Sequence, residues 1–331
     1  MCYSHNMSRR VIIDTDGGVD DALALVLALR SHELLVEAIT TVHGVVPVDQ
    51  ATRNVLFLLD LLAPMTRPIV ASGTATSPSR ELITAQAVHG TDGLGELSRF
   101  TNPDGKPKYS KVPVPADLPG AVDTLRDTLK RYPGEVTIVT LGPLTNLARA
   151  LEADQEALRH ARELIIMGGA LTIPGNVTPV AEFNIFVDPL SARAVMRSGL
   201  PITLVPLDVT ERVFLSCTAV ESLSGAMAEP MAGFLRDATG IICQHMEETR
   251  GTAGLFLHDP LAVGVAIDRT IVHTTRLSID VETDGVLTEG MTVADMRQIK
   301  THLRQTPNAE VAIDVDAPRF LNLFRERLCL A

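Results

Sequence analysis

The chain has 331 residues, 46% of them hydrophobic, and a formal net charge of -11. That length and apolar content suit one large α/β domain with a sizeable core. The acidic balance argues against a nucleic-acid backbone as partner, which calls for a basic surface, and leaves a neutral small molecule open. No apolar run reaches membrane-spanning length, and Met1 to Arg10 lacks the apolar centre of a secretory signal, so a cytoplasmic protein is expected, with residues 1–9 disordered or loosely attached. The cysteines, Cys2, Cys217, Cys243 and Cys329, are scattered without a C-x-x-C pair, so neither a zinc site nor a disulfide framework is expected.

In chain order, the apolar run Val11-Ile12-Ile13 reads as a buried strand, and Ala22 to Leu29 as a helix opened by Asp20 and Asp21. The β-branched stretch Val36 to Val42 predicts a second strand, Val48 to Leu62 a helix, and Pro68 to Ala71 a short strand. Ser72 to Pro119 is rich in Gly, Pro, Ser and Thr and reads mostly as loop, a length that is usually functional. Alternation resumes with a strand over Glu135 to Leu141, a helix over Thr145 to Ala153 and a strand over Leu164 to Met167. A helix follows from Pro189 to Arg197, capped by Asp188, and then a strand from Ile202 to Leu207. Ser216 to about Glu248 looks helical, and Leu277 to Val281 and Glu310 to Val315 are later strands, read as antiparallel. No repeat or linker divides the chain. The β-α alternation predicts a single domain over residues 1–331: an open, mostly parallel, Rossmann-like sheet with helices on both faces.

The densest signal is Asp14-Thr15-Asp16-Gly17-Gly18-Val19-Asp20-Asp21, at the end of the first strand. Asp14 and Asp16 share a strand face, Gly17-Gly18 permits a tight turn, and Asp20 and Asp21 open the helix. One or two acids here would be helix caps and turn residues. Four so close repel one another by about 4 kcal/mol per pair at an effective dielectric near 20, far more than a helix N-terminus offsets. The cluster therefore calls for a cation or raised pKa values, and oxygen-only ligands suit a hard ion, Ca²⁺ or Mg²⁺.

Further segments fall at strand ends, where open parallel sheets bind ligands. Leu141-Gly142-Pro143-Leu144-Thr145-Asn146 is a strand–turn–helix junction. Met167-Gly168-Gly169 is followed by Gly175-Asn176 and Glu182-Phe183-Asn184, whose polar groups can donate to and accept from sugar hydroxyls. In His258-Asp259-Pro260, Asp259 reads as an N-cap and Pro260 as the first helical residue. His89-Gly90-Thr91-Asp92-Gly93 lies in the long loop region.

The aspartate stretch, followed in order by these segments up to Pro260, resembles the nucleoside hydrolases, calcium-dependent α/β enzymes that cut the N-glycosidic bond of ribonucleosides. The resemblance implies that Asp16, Asp21, Asp259 and the Leu141 carbonyl hold one Ca²⁺. It implies that Asn176, Glu182 and Asn184 bind the ribose hydroxyls, with Met167 beside the sugar, and that His89 belongs to a mobile loop over the site. His258 would lie over the leaving base as proton donor. Asp20 would be the general base for the attacking water, with Asp14 supporting the cluster or the sugar. A homodimer or homotetramer is also implied. Two features depart from the family. Val45 stands where it usually has an asparagine, and Tyr3, Tyr109 and Tyr132 lie away from the helices that commonly carry aromatic base contacts. Base preference and tolerance for modified sugars are not legible.

Two other functions fit parts of the pattern. A strand ending in D-x-D also opens the haloacid-dehalogenase-type phosphatases, in which Asp14 would be the nucleophile. Val45 motivates a non-catalytic nucleoside-binding protein.

Overall fold

The computed structural model describes residues 8–78, 80–297 and 305–330. Its strands are β1 (Arg9–Thr15), β2 (Leu34–Thr41), β3 (Ile69–Ser72), β4 (Val136–Thr140), β5 (Glu163–Met167) and β6 (Ile202–Val205). They continue with β7 (Phe214–Ser216), β8 (Gly254–Phe256), β9 (Val272–Leu277), β10 (Ile279–Val281), β11 (Thr292–Ala294) and β12 (Ala309–Val315). Eight form the main sheet in the order β3-β2-β1-β4-β5-β6-β12-β9. All neighbours are parallel except β9, which runs antiparallel to β12. Of the two late strands expected to be antiparallel, β12 therefore pairs both ways, parallel to β6 and antiparallel to β9.

The helices are α1 (Val19–Leu29), α2 (Val48–Leu62), α3 (Gln86–His89), α4 (Ala121–Arg131), α5 (Thr145–Leu158) and α6 (Phe183–Val187). After them come α7 (Pro189–Met196), α8 (Leu207–Thr210), α9 (Cys217–Gly225), α10 (Met231–Arg250), α11 (His258–Ile267) and α12 (Ala317–Leu328). Period-two alternation sends the central strands into two cores. Val11, Ile13, Val139 and Ile165 join the core that includes α1, α11 and α12 residues, whereas Ile12, Ile138, Leu164 and Ile166 join the one that includes residues of α4, α5 and α7. The expected single α/β domain with helices on both faces is present. Strand order reverses between β1 and β4, and at such a switch point the loops leaving the carboxyl ends diverge and open a crevice. The aspartate motif leaves β1 at that point.

Residues 1–7, part of the segment expected to be loosely attached, lie outside the described residues. Arg9 departs from that expectation: it opens β1, and its guanidinium donates to the Ala266 carbonyl at 2.7 Å. The cysteines also differ. Cys217 and Cys243 form a disulfide between α9 and α10, because these consecutive helices fold back on each other and bring together residues 26 positions apart. Scattered spacing did not reveal this pair. Among the described residues, no helix is long and apolar enough to cross a membrane.

Candidate active site

Asp14 lies in β1 opposite Thr40 of β2 and Thr140 of β4. Its Oδ1 accepts from the Thr40 hydroxyl and, at 2.8 Å, from the Asn146 amide at the start of α5. Its Oδ2 is buried with no hydrogen-bond partner. Burial, tempered by those two hydrogen bonds, pushes the Asp14 carboxyl up to about 7. Asp16 follows on the same side. Its Oδ2 accepts from the Val45 N–H at 2.7 Å. The loop after β2 lies so close that a Cβ on Gly44 would stand 2.0 Å from that oxygen, so only glycine fits there. Burial and the adjacent Asp21 charge hold the Asp16 carboxyl well above the usual range.

Asp21 is fixed by the turn itself. Its Oδ1 accepts from the Thr15 hydroxyl and the Asp16 N–H (3.3 Å), and its Oδ2 from the Gly18 N–H (2.9 Å). Asp20 is less enclosed, with 14% of its side chain exposed. Burial and the Asp21 charge lift its carboxyl to about 7. Asp259 arrives from the other end of the chain. The sequence pattern casts it as an N-cap, but α11 already begins at His258, and Asp259 sits within the first turn. Burial, then the charges of Asp20, Asp21 and Asp16, raise its carboxyl well above the usual range.

The carboxylates whose oxygens all lie within 4.8 Å of one another are Asp20, Asp21 and Asp259, so Asp20 stands in that trio where the resemblance implies Asp16. Oxygens bound to one Ca²⁺ at about 2.4 Å lie no farther apart than roughly 5 Å, so the spacing fits a hard cation. The donors are all oxygen, and their mutual repulsion leaves the cluster short of positive charge. The Leu141 carbonyl, immediately after β4, accepts from the Asn184 amide at 2.7 Å.

The polar segment after β5 is built around Glu182. This buried carboxylate caps α6 through Asn184 N–H (2.9 Å) and Ile185 N–H (3.2 Å), and accepts from Gly169 N–H at 3.0 Å. Burial still raises its pKa, against those hydrogen bonds. Asn176 is exposed, and its Oδ1 accepts from Phe183 N–H at 2.9 Å. Asn184 is buried, its amide also 3.4 Å from the sulfur of Met167. Val45 packs with Val46, Ala51, Ala85 and Phe183, and serves the site through its backbone N–H.

Two histidines reach the corner. His89, at the end of α3, accepts from the Val19 N–H at 3.2 Å and lies 3.9 Å from Asp20 Oδ1. His258 meets the Thr210 hydroxyl through Nδ1 at 2.7 Å and packs beside Phe256. Burial lowers both, His89 to about 4 and His258 to about 3, so both rings are neutral near pH 7. A neutral His258 keeps one ring N–H that can still be donated. Sequence reasoning passed over Asn146, Thr40 and Asn54. Asn146 reads in sequence only as part of a junction, yet its Nδ2 donates to both Asp14 Oδ1 (2.8 Å) and the Thr41 carbonyl (2.9 Å). Its position as the second residue of a helix following the strand beside the motif was the available signal. Asn54 donates to the Gly17 and Asp92 carbonyls, both at 2.8 Å, and so ties α2 to the aspartate turn and to the loop after His89.

The profile of a family described as inosine-uridine preferring nucleoside hydrolase matches residues 11–322. The pyrimidine-specific ribonucleoside hydrolase RihA of Salmonella typhimurium is 38% identical over 326 residues, 97% of this chain and 99% of that protein. Among solved structures, a plant nucleoside hydrolase, PpNRh1, superposes with a TM-score of 0.87 at 35% identity, covering 98% of this chain and 99% of its own. A purine-preferring ribonucleoside hydrolase from Gardnerella vaginalis gives 0.86 at 34% identity, covering 97% and 98%. These matches do not favour the phosphatase alternative suggested by the D-x-D strand end. The aspartate corner lies at the switch point of a sheet matched almost end to end by these proteins, and the chain belongs to the inosine-uridine preferring nucleoside hydrolase family, which acts on the N-glycosyl bonds of ribonucleosides.

Proposed function

We propose that this protein hydrolyses ribonucleosides to free base and ribose in a calcium-dependent reaction. The observation that carries the reading is the meeting of Asp16, Asp20, Asp21 and Asp259 in one corner, where burial and their own charges raise the carboxyls of Asp16, Asp20 and Asp259. Asp16, Asp21, Asp259 and the Leu141 carbonyl would hold one Ca²⁺. When bound, that ion supplies Lewis acidity toward water and a seat for a vicinal diol.

The remaining roles fall to the chain's own groups. Asp20, lifted toward neutrality and partly open, takes the proton of the attacking water as general base. Asp14 offers its unpartnered Oδ2 to the sugar or to the cluster. Asn176 and Asn184 contact ribose hydroxyls, Glu182 holds that segment in shape while bordering the sugar, and Met167 packs beside it. As the bond breaks, positive charge grows on the ribose, and the carboxylates of the corner would stabilise that charge. His258 donates a neutral N–H to the departing base. The tautomer follows if the Thr210 hydroxyl donates to Nδ1, leaving the proton on Nε2. His89 closes the corner beside Asp20 and contacts base or sugar.

The named relatives include one pyrimidine-specific and one purine-preferring enzyme, so the test spans both. Purified protein is incubated with inosine, guanosine, adenosine, uridine and cytidine, and free base and reducing sugar are measured. Stoichiometric release of both from at least one nucleoside is expected. Binding without release would identify the non-catalytic alternative. A cytoplasmic location and a homodimeric or homotetrameric assembly complete the proposal, and sedimentation velocity checks the assembly.

A further inference from the structure

Behind the aspartate corner lies a second buried polar chain. Thr145 opens α5, and its hydroxyl donates to Asp188 Oδ2 at 2.6 Å. The other oxygen of Asp188 caps α7 by accepting from Ser191 N–H at 3.1 Å. Asp188 is thus more than the plain helix cap its Asp-Pro context suggests. His43, fully buried after β2, places Nε2 3.2 Å from the same Thr145 hydroxyl. That hydroxyl has a single proton, already given to Asp188, so His43 Nε2 must be the donor. The ring is then the neutral tautomer with its proton on Nε2, and its Nδ1 is buried with no partner.

The chain joins three segments that supply the site. His43 directly precedes Gly44 and Val45, the loop lying flush on Asp16 and donating Val45 N–H to it. Thr145 directly precedes Asn146, which holds Asp14 through Nδ2 and the Thr74 N–H through Oδ1 (2.9 Å). Asp188 follows α6, which carries Asn184. We infer that His43, locked by Thr145 and Asp188, is a positioning residue: it fixes the loop whose Val45 N–H sets the orientation of the Asp16 carboxylate. The inference rests on the reading of Asp16 as a cation ligand. Groups that orient a metal ligand typically contribute about 10–100-fold to affinity or activity.

The test compares Thr145→Ser, which keeps the hydroxyl, with Thr145→Val, which keeps the shape and removes it. Calcium affinity of chelated protein is measured by titration calorimetry, kcat and KM on a turned-over nucleoside, and Tm as a check on folding. Thr145→Val, assayed well below its Tm, should bind calcium about tenfold more weakly and lose kcat more than it raises KM, and Thr145→Ser should restore both to within about threefold. His43→Phe should reproduce the Thr145→Val pattern. Wild-type calcium affinity and kcat in a folded Thr145→Val protein would overturn the inference, as would a Tm loss shared equally by the Ser and Val variants with no kinetic difference between them. Asp16→Asn is the reference. If it keeps full calcium affinity, the metal-ligand reading itself fails; if it loses affinity while Thr145→Val does not, only the role of His43 fails.

Discussion

Asp20 and Asp21 are adjacent in sequence, yet the fold gives them different work. Asp21 is consumed by the Thr15 hydroxyl and two backbone N–H groups, whereas Asp20 keeps partial exposure and a carboxyl near 7. Asp20→Asn should therefore lower kcat by about 10²–10⁴-fold while calcium binding stays nearly unchanged, read by steady-state kinetics and calorimetry. Near-normal turnover would move the base elsewhere. Val45→Asn restores the usual family residue beside Asp16 and Phe183, and it should raise kcat/KM on inosine or uridine by the worth of one hydrogen bond, about 0.5–1.5 kcal/mol. Equal or lower values on every nucleoside would place the side chain outside the sugar's reach. The cluster of acids was legible in sequence because like charges at one strand end need an explanation. The partners of Asp14 were not: Thr40 and Asn146 come from separate segments, and nothing local marks a threonine or asparagine as a buried clamp.

At the scale of elements, strands and helices followed from hydrophobic period and cap residues, and α2 spans Val48–Leu62 as expected. The loop region was legible as a functional stretch but not in its attachments. Asn54 on α2 spans the Gly17 and Asp92 carbonyls, bracing the aspartate turn against the segment after His89. Asn54→Ala leaves those carbonyls without their donor, and should cost about 1–3 kcal/mol of stability. With the loop released, KM should rise more than kcat falls; thermal melts and kinetics decide, and an unchanged KM would show that this brace does not govern substrate binding. The Cys217–Cys243 pair escaped sequence reading for the same reason as the Asn54 clamp. It depends on two helices folding back on each other, which spacing does not encode.

Over the whole molecule, charge and pH link the site to stability. Without a cation, burial lifts Asp14 and Asp20 to about 7 in the folded protein against 3.8 unfolded, and Asp16 and Asp259 are also raised well above 3.8. An acid raised in this way holds a proton that the unfolded chain has released, so it lowers stability as pH rises through its folded pKa. The buried histidines His43, His89 and His258 act oppositely, but chiefly below their unfolded value of 6.5, where the unfolded chain binds protons that they do not. Their effect fades over about one pH unit above 6.5, while that of the acids persists. Chelated protein should therefore lose Tm between pH 6.5 and about 8, and saturating calcium should flatten that fall, because the ion binds the ionised cluster of the folded state alone. A Tm rising over this range in chelator would contradict the electrostatics assigned to the corner.

The most direct measurement is a calcium titration of chelated wild-type and Asp21→Ala protein, with metal content and free-base release followed together on one turned-over nucleoside. The account predicts that wild-type turnover is absent in chelator and returns as one calcium binds per chain, while Asp21→Ala neither fills nor turns over at the same concentrations. Full turnover by metal-free protein, or full calcium content and normal rate in Asp21→Ala, would contradict it.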